Sequence, residues 1–369
     1  MIHVSRVDLT ERGILLPHDR VGMVIAQPHL TLTQQEPYRT VAARKPELLA
    51  NLTATLNVSR AAPHHAEKTH FTIFPEYSIP GIDGVDLIDA ALADQQWPTG
   101  TIVIGGVDAL LKADFASLAG RADSHLDTAH NALDQIGDGE WINCAVIWTK
   151  AQDGTVERWL QPKLWPAWQE QTISYQSMYR GKSIFSFKGS LSNGQKYRFS
   201  SLICFDWIAT IGAKRSWRWA LDDLGLQAGE GELSLSWMFV IQCNTAPSHP
   251  TFMGEVASFF DGTIVPNVRR DRTCLVFANS AGKPVPGRSA DYGGTSVVFT
   301  QQTLFKELAS RPTVAKGGQQ FRGSQLLNPF RDTYFRERGA CIHSFVQINP
   351  DTVVAGAAHR SFAVDRPFV

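Results

Sequence analysis

Nothing in this chain is present in the excess that would assign a class by composition alone. Its 35 basic and 35 acidic residues cancel to a formal net charge of +0, so no overall field draws in nucleic acid or an anionic membrane surface. Neither partner is expected, and a small molecule or another protein is. No window approaches the roughly eighteen uninterrupted apolar residues of a membrane-crossing helix, and the N-terminal residues mix charges without an apolar signal core. Cysteine is scarce: the five residues, at 144, 204, 243, 274 and 341, are odd in number and widely spaced. That pattern suits neither a disulfide framework nor a Cys-x-x-Cys pair, and a soluble, cytoplasmic protein in a reducing compartment is the expectation. The frameworks G-x-S-x-G, H-E-x-x-H, G-x-x-x-x-G-K-[ST] and a helix-opening G-x-G-x-x-G are missing too. No cofactor or metal is expected. His64 and His65 come nearest to a metal cluster but lack a third spaced ligand.

What is there is an alternation of strands and helices. A polar leader over residues 1–20 precedes an apolar run at 21–26 with the length of a buried strand. Leu48, Leu49, Leu52 and Leu56 recur at helical spacing within 46–62, behind Pro46 at the start. Residues 71–74 and 101–107 are rich in apolar and β-branched side chains and predict strands, with a helix over 85–93 between them. Residues 108–140 are polar and only weakly periodic, and read as an insertion or lid. Strands at 141–148 and 155–160 flank a Gly154 turn, and strands at 183–188 and 196–203 flank Asn193-Gly194, a hairpin signal. A second insertion, 208–233, is rich in Trp and Arg and reads as a solvated helix with aromatic anchors. Strands at 233–243, 273–279, 294–300 and 344–348, a helix at 252–260 and a loose tail at 349–369 complete the chain. With no internal repeat and no long linker, a single layered α/β domain over 21–348 is the economical reading.

Three residues stand at ends of predicted strands. Cys204 closes the run Phe199-Ser-Ser-Leu-Ile-Cys204, Glu76 follows the run ending at Phe74-Pro75, and Lys163 lies just past the hairpin that begins at Trp141. A lone cysteine beside apolar residues is ordinarily a small buried hydrophobe, and Glu76 or Lys163 taken singly is an ordinary surface charge. Together they match a need. Covalent cleavage of a carbon–nitrogen bond requires a nucleophile, a proton carrier, and a fixed positive charge where the carbonyl oxygen becomes anionic.

In that order the three stretches resemble the nitrilase, or carbon–nitrogen hydrolase, superfamily. The residues that carry the resemblance are Pro75-Glu76 to Gly81, Lys163-Leu-Trp-Pro-Ala-Trp-Gln-Glu170 and Ile203-Cys-Phe-Asp206, with support from 277–282 and 293–296. The resemblance implies a four-layer αββα sandwich that pairs into a homodimer or higher homo-oligomer. It implies Cys204 as nucleophile, Glu76 as general base and later acid, Lys163 with the Phe205 backbone N–H as oxyanion donors, and Glu170 as the group that orients Lys163 or the water. The Lys motif looks like the nitrilase branch, whereas Phe205-Asp206 looks like the amidase branches. Amide, N-carbamoyl and nitrile substrates therefore all stay open, as do acyl transfer and a non-catalytic binding module of the same fold.

Chain position nominates neighbours of these residues for substrate contact. Tyr77, Trp165 and Trp207 are expected either to face the pocket as aromatic walls or to be core, Phe205 to contact substrate, and Asn244 either to cap a turn or to point a donor at substrate. Residues 108–140 would close over the mouth. A lysine beside Cys204 is expected to lower its thiol pKa and make it the most reactive cysteine.

Overall fold

In a computed structural model of the chain, the structure describes residues 1–61, 68–171, 177–226, 235–247, 249–260, 273–281, 295–298, 314–316, 319–321, 340–348 and 361–368. The strands are β1 (His3–Asp8), β2 (Leu15–Leu16), β3 (Arg20–Gln27), β4 (Thr69–Ile73), β5 (Thr101–Leu111), β6 (Ser124–Leu126), β7 (Trp141–Lys150), β8 (Val156–Pro162), β9 (Ser183–Leu191) and β10 (Lys196–Ile203). They continue with β11 (Thr210–Ile211), β12 (Lys214–Arg215), β13 (Trp237–Gln242), β14 (Cys274–Asn279), β15 (Ser296–Val298), β16 (Val314–Lys316), β17 (Gln319–Phe321), β18 (Cys341–Ile348) and β19 (Ser361–Pro367). The helices are α1 (Lys45–Ala61), α2 (Gly81–Ala93), α3 (Lys112–Ala119), α4 (Trp168–Gln171), α5 (Ser216–Leu226) and α6 (Pro250–Phe259).

Local chemistry accounts for these elements. Seven of the eight β3 residues are buried, as a strand covered on both faces requires. Helix α1 buries Leu48, Leu52 and Leu56 on one stripe. Strands β9 and β10 pair antiparallel around Asn193-Gly194, where Gly194 has φ +87°, a conformation that glycine adopts without steric cost.

Most of the strands form two large sheets, while β11 pairs with β12 and β16 with β17. An eight-stranded sheet runs β19-β18-β3-β4-β5-β7-β8-β6, and a seven-stranded sheet runs β1-β9-β10-β13-β14-β15 with β2 on β9. Strands β3, β4 and β5 are parallel to one another, as are β10, β13 and β14. One core cluster draws on both sheets, with Met23, Ile25, Phe71, Ile73, Ile104 and Ile147 from the first and Phe187, Phe199, Ile203, Phe239, Ile241 and Val276 from the second. The Phe71 ring lies 5.1 Å from Phe239, 5.3 Å from Trp237 and 5.6 Å from Phe199. A second cluster joins α5 and α6 to the seven-stranded sheet, and a third joins α1, α2 and α3 to the eight-stranded one. Among the described residues, no helix is long and apolar enough to cross a membrane.

Four segments depart from expectation. The leader holds β1 and β2, both paired parallel to β9; β1 is an edge strand with only Val7 fully buried, so it lacks the apolar run that betrays a central strand. The tail holds β19, antiparallel to β18 from Ser361 on Gln347 to Pro367 on Cys341. Residues 108–140 are not one irregular loop: β5 extends to Leu111, α3 buries Phe115 and Leu118, and β6 pairs with β8 at the sheet edge. In the second insertion α5 buries Trp217, Ala220 and Leu221 rather than lying solvated. Residues 227–234, His64 and His65 lie outside the described residues.

Trp207 is a core residue instead of a pocket wall. Its ring is fully buried among Trp217, Phe259 and Phe277, with centroids 5.4 to 6.1 Å away, and its Nε1 donates to the Phe252 carbonyl. Trp207→Ala is therefore expected to destabilise the fold by about 3–5 kcal/mol, measured as a shift of the denaturant midpoint. A loss below about 1 kcal/mol would contradict this packing.

Candidate active site

The site begins where β4 stops. Pro75 cannot extend the ladder as a donor, and Tyr77 turns the chain at φ +60°, a strained value for a residue with a side chain. The turn packs on Gly106 of β5, where an added Cβ would lie 2.5 Å from the Glu76 Cα and 3.0 Å from the Pro75 oxygen. Only glycine permits that approach, and it seats Glu76 with 1% exposure.

Glu76 is gripped from three directions. Its Oε1 accepts from Lys163 Nζ at 2.7 Å and from Asn143 Nδ2 at 2.7 Å. Its Oε2 accepts from the backbone N–H of Cys243, just past β13 in the other sheet, at 3.0 Å. Lys163 follows β8, and its backbone N–H donates to the Asn143 carbonyl at 2.8 Å. Its Nζ also donates to Glu170 Oε2 at 2.7 Å. Glu170, at the start of α4, accepts from the Ala167 N–H at 2.5 Å, from Asn143 Nδ2 at 3.0 Å, and from the Tyr77 hydroxyl. The result is one ammonium between two carboxylates, all buried.

Cys204 opens a short 3₁₀ turn at the end of β10 and has φ +45°. Its neighbour Asp206 ties this turn to the lysine loop: Oδ2 accepts from the Leu164 N–H at 3.2 Å and Oδ1 from the Trp165 N–H at 2.9 Å. Burial and then the Glu76 charge hold the Cys204 thiol well above the usual thiol range, with Lys163 pulling the other way. The expected lowering by lysine is thus outweighed, first by burial and then by the charge of the glutamates. For Lys163, burial opposes the charge but Glu170 and Glu76 outweigh it, so the ammonium is held well above its ordinary value. Burial raises the Glu170 carboxyl, yet Lys163 and its hydrogen bonds bring it below normal. Burial and the two glutamates keep Tyr77 a neutral donor. At rest the site pairs a neutral thiol with a charged lysine, which suits a nucleophile that gives up its proton only when substrate arrives.

The structure brings Glu76, Lys163 and Glu170 into direct contact, and puts Cys204 where their charges act on its thiol. The nominated neighbours divide. Tyr77 is buried and supports Glu170; Trp165 is half-buried with the Arg180 guanidinium 4.3 Å over its ring. Phe205 is half-buried, and its carbonyl accepts from Ile208 and Ala209. Asn244 caps its own turn, Oδ1 accepting from the Ala246 N–H at 2.9 Å, while its N–H donates to Asn279 Oδ1 at 2.8 Å. Sequence reasoning missed Asn143, whose signal was a polar side chain inside an apolar strand, and gave Asp206 no role. As for metals, His3, Asp127 and His130 bring ligand atoms within 4.8 Å of one another. Their imidazoles stack at 3.8 Å and 13°, which aims the ring nitrogens along near-parallel planes instead of at a common ion.

Two outcomes test this arrangement. Lys163→Met leaves two buried carboxylates without their counter-ion, and a loss of about 3–5 kcal/mol in chemical denaturation is expected; an unchanged midpoint would contradict the buried pairing. Asp206 sets a pH slope. Burial lifts its carboxyl from 3.8 up to about 7, against Lys163 and the two N–H donors. Between those values the folded chain binds more proton than the unfolded one, so this group's contribution to stability falls as pH rises from about 4 to about 7, by up to about 1.4 kcal/mol per pH unit. Asp206→Asn should flatten stability between pH 5 and pH 7 relative to wild type, and parallel wild-type and variant curves would refute the shift.

No family model matches the chain, and no curated protein does. Among solved structures it is similar to an N-terminal amidase crystallised with a Gln-Gly peptide, at 9% identity and TM-score 0.36 over 69% of this chain and 57% of that one. It is also similar to another N-terminal amidase crystal structure, at 10% identity and TM-score 0.36 over 67% of this chain and 56% of that one. The chain thus spans little more than half the length of those structures.

Proposed function

We propose that the chain is a carbon–nitrogen hydrolase on a four-layer αββα sandwich, cleaving a non-peptide amide, N-carbamoyl or nitrile bond through a covalent intermediate on Cys204. The observation that carries the reading is the Lys163 ammonium held at 2.7 Å from both Glu76 and Glu170 in a buried site that also acts electrostatically on Cys204. A fold kept only for binding has no use for three buried charged groups, since such a cluster adds little stability over well-packed apolar side chains.

With an amide the chemistry runs in two halves. Glu76 takes the Cys204 proton as sulfur attacks the carbonyl carbon, and the oxygen that becomes anionic lies against Lys163 and the Phe205 N–H. The carbon–nitrogen bond then breaks, its electron pair goes to nitrogen, and Glu76 returns the proton to the departing amine. Water attacks the thioester with Glu76 again as base, the carbon–sulfur bond breaks with its electron pair on sulfur, Glu76 returns the proton to Cys204, and the carboxylic acid departs. Glu170 keeps Lys163 aimed throughout.

Intact-mass spectrometry of the protein incubated with a mixed amide, N-carbamoyl and nitrile library tests this directly. An acyl or thioimidate adduct mapped to Cys204, absent from Cys204→Ala and Glu76→Gln, is expected. Adducts confined to Cys144, Cys243, Cys274 or Cys341, or none with any compound, would refute the proposal.

A further inference from the structure

Asn143 has one half of its side chain fully engaged and the other half not. Its Nδ2 donates to Glu76 Oε1 at 2.7 Å and to Glu170 Oε1 at 3.0 Å. Ionised carboxylates only accept, so these two contacts fix which end of the amide is nitrogen. The other end, Oδ1, is buried without a hydrogen-bond partner among the described residues, in a residue with 0% exposure. Buried acceptors are matched in the great majority of cases, so an orphan at the centre of a charged cluster calls for a partner that arrives from outside.

Strand alternation says which way the residue faces. Ile142 and Cys144 of β7 belong to the cluster under the helices, while Ala145 and Ile147 belong to the cluster between the sheets that also holds Cys204. Asn143 therefore projects into the intersheet space. Its amide nitrogen touches the carboxyl group assigned to carry the proton, and Oδ1 is bonded to the same carbon as that nitrogen.

We propose that Asn143 Oδ1 accepts an N–H of the scissile nitrogen, and that the site therefore selects primary or secondary amides and N-carbamoyl compounds over nitriles and esters, which offer no N–H there. The inference rests on the reading of Cys204 as the acylated nucleophile. In the tetrahedral intermediate the nitrogen lone pair must meet the Glu76 proton before the carbon–nitrogen bond can break. Holding the N–H on Asn143 turns that lone pair towards Glu76. The proton then passes from Glu76 to nitrogen, the bonding pair follows the nitrogen, and amine departs while the acyl group stays on sulfur.

A primary amide and the methyl ester of the same acid give the same acyl-enzyme, so deacylation cancels when the two are compared. In Asn143→Ala, kcat/KM for the amide is expected to fall about ten- to a hundredfold more than kcat/KM for the ester, the loss of one hydrogen bond to the reacting group. Equal losses would overturn the proposal, because weakened support of Glu76 and Glu170, or a lost water contact in deacylation, strikes both substrates alike. If circular dichroism shows that Asn143→Ala does not fold, the wild type answers by itself. An N-methyl amide should acylate Cys204 at least tenfold faster than the N,N-dimethyl amide, and matching rates would overturn the assignment. Acylation by esters alone would remove Asn143's role and leave Cys204 as nucleophile, whereas no adduct at Cys204 from amide or ester would defeat both.

Discussion

The site depends on one buried cation being shared by two buried carboxylates. Lys163 cannot keep its charge at 1% exposure unless opposite charge surrounds it, and Glu76 and Glu170 cannot both ionise side by side without a cation between them. Each group's protonation state is a condition of the others'. Lys163 does not lower the Cys204 thiol at rest because burial disfavours a thiolate, and the cluster's one more carboxylate than ammonium adds to that.

Holding that cluster requires elements far apart in the chain to end at one place. Glu76 follows β4, Lys163 follows β8, Asn143 lies near the start of β7, and Cys243 follows β13 of the opposite sheet. Glu76 is thus a polar rivet between the two sheets, as is Gln161 of β8, whose Nε2 donates to the Ser201 carbonyl and whose Oε1 accepts from the Phe185 N–H, within a contact that is otherwise largely aromatic and aliphatic, centred on Phe71, Phe199 and Phe239. Asp206 is its counterpart beside Cys204, binding two backbone N–H groups of the lysine loop. Strain gathers in the same region, since Tyr77 and Cys204 are two of the three non-glycine residues with positive φ among the described residues. Surroundings packed this tightly can hold such conformations, and they collect where chemistry is done.

How the two sheets are covered bears on what surrounds the site. Aromatic rings expected to wall a pocket are instead divided between support and core: Tyr77 braces Glu170, Trp207 fills the space under α5 and α6, and Trp165 stacks with Arg180 beside the lysine loop. The stretch 108–140 contributes a helix and an edge strand to the eight-stranded sheet, so its polar composition reflects the half-exposed position of those elements.

The sequence by itself determined most of the local elements and nominated the groups that meet in the buried charged site. Apolar and β-branched runs located β3, β4, β10 and β13 to within a few residues, because central strands covered on both faces are rich in such side chains. The order of Glu76, Lys163 and Cys204 at strand ends was equally legible, because a charged residue or cysteine at the end of such a run is visible without knowing where the strand lies. Edge strands β1 and β19 were not, since a strand with one free edge tolerates mixed polarity. Nor were the partners of the site. That Asn143 rather than solvent holds both carboxylates, that Gly106 yields its side-chain space to the Glu76 backbone, and that burial outweighs Lys163 at the Cys204 thiol all follow from distances between segments dozens of residues apart. Tertiary structure alone decided them, because hydrogen bonding, close approach and desolvation depend on what lies beside a residue in space.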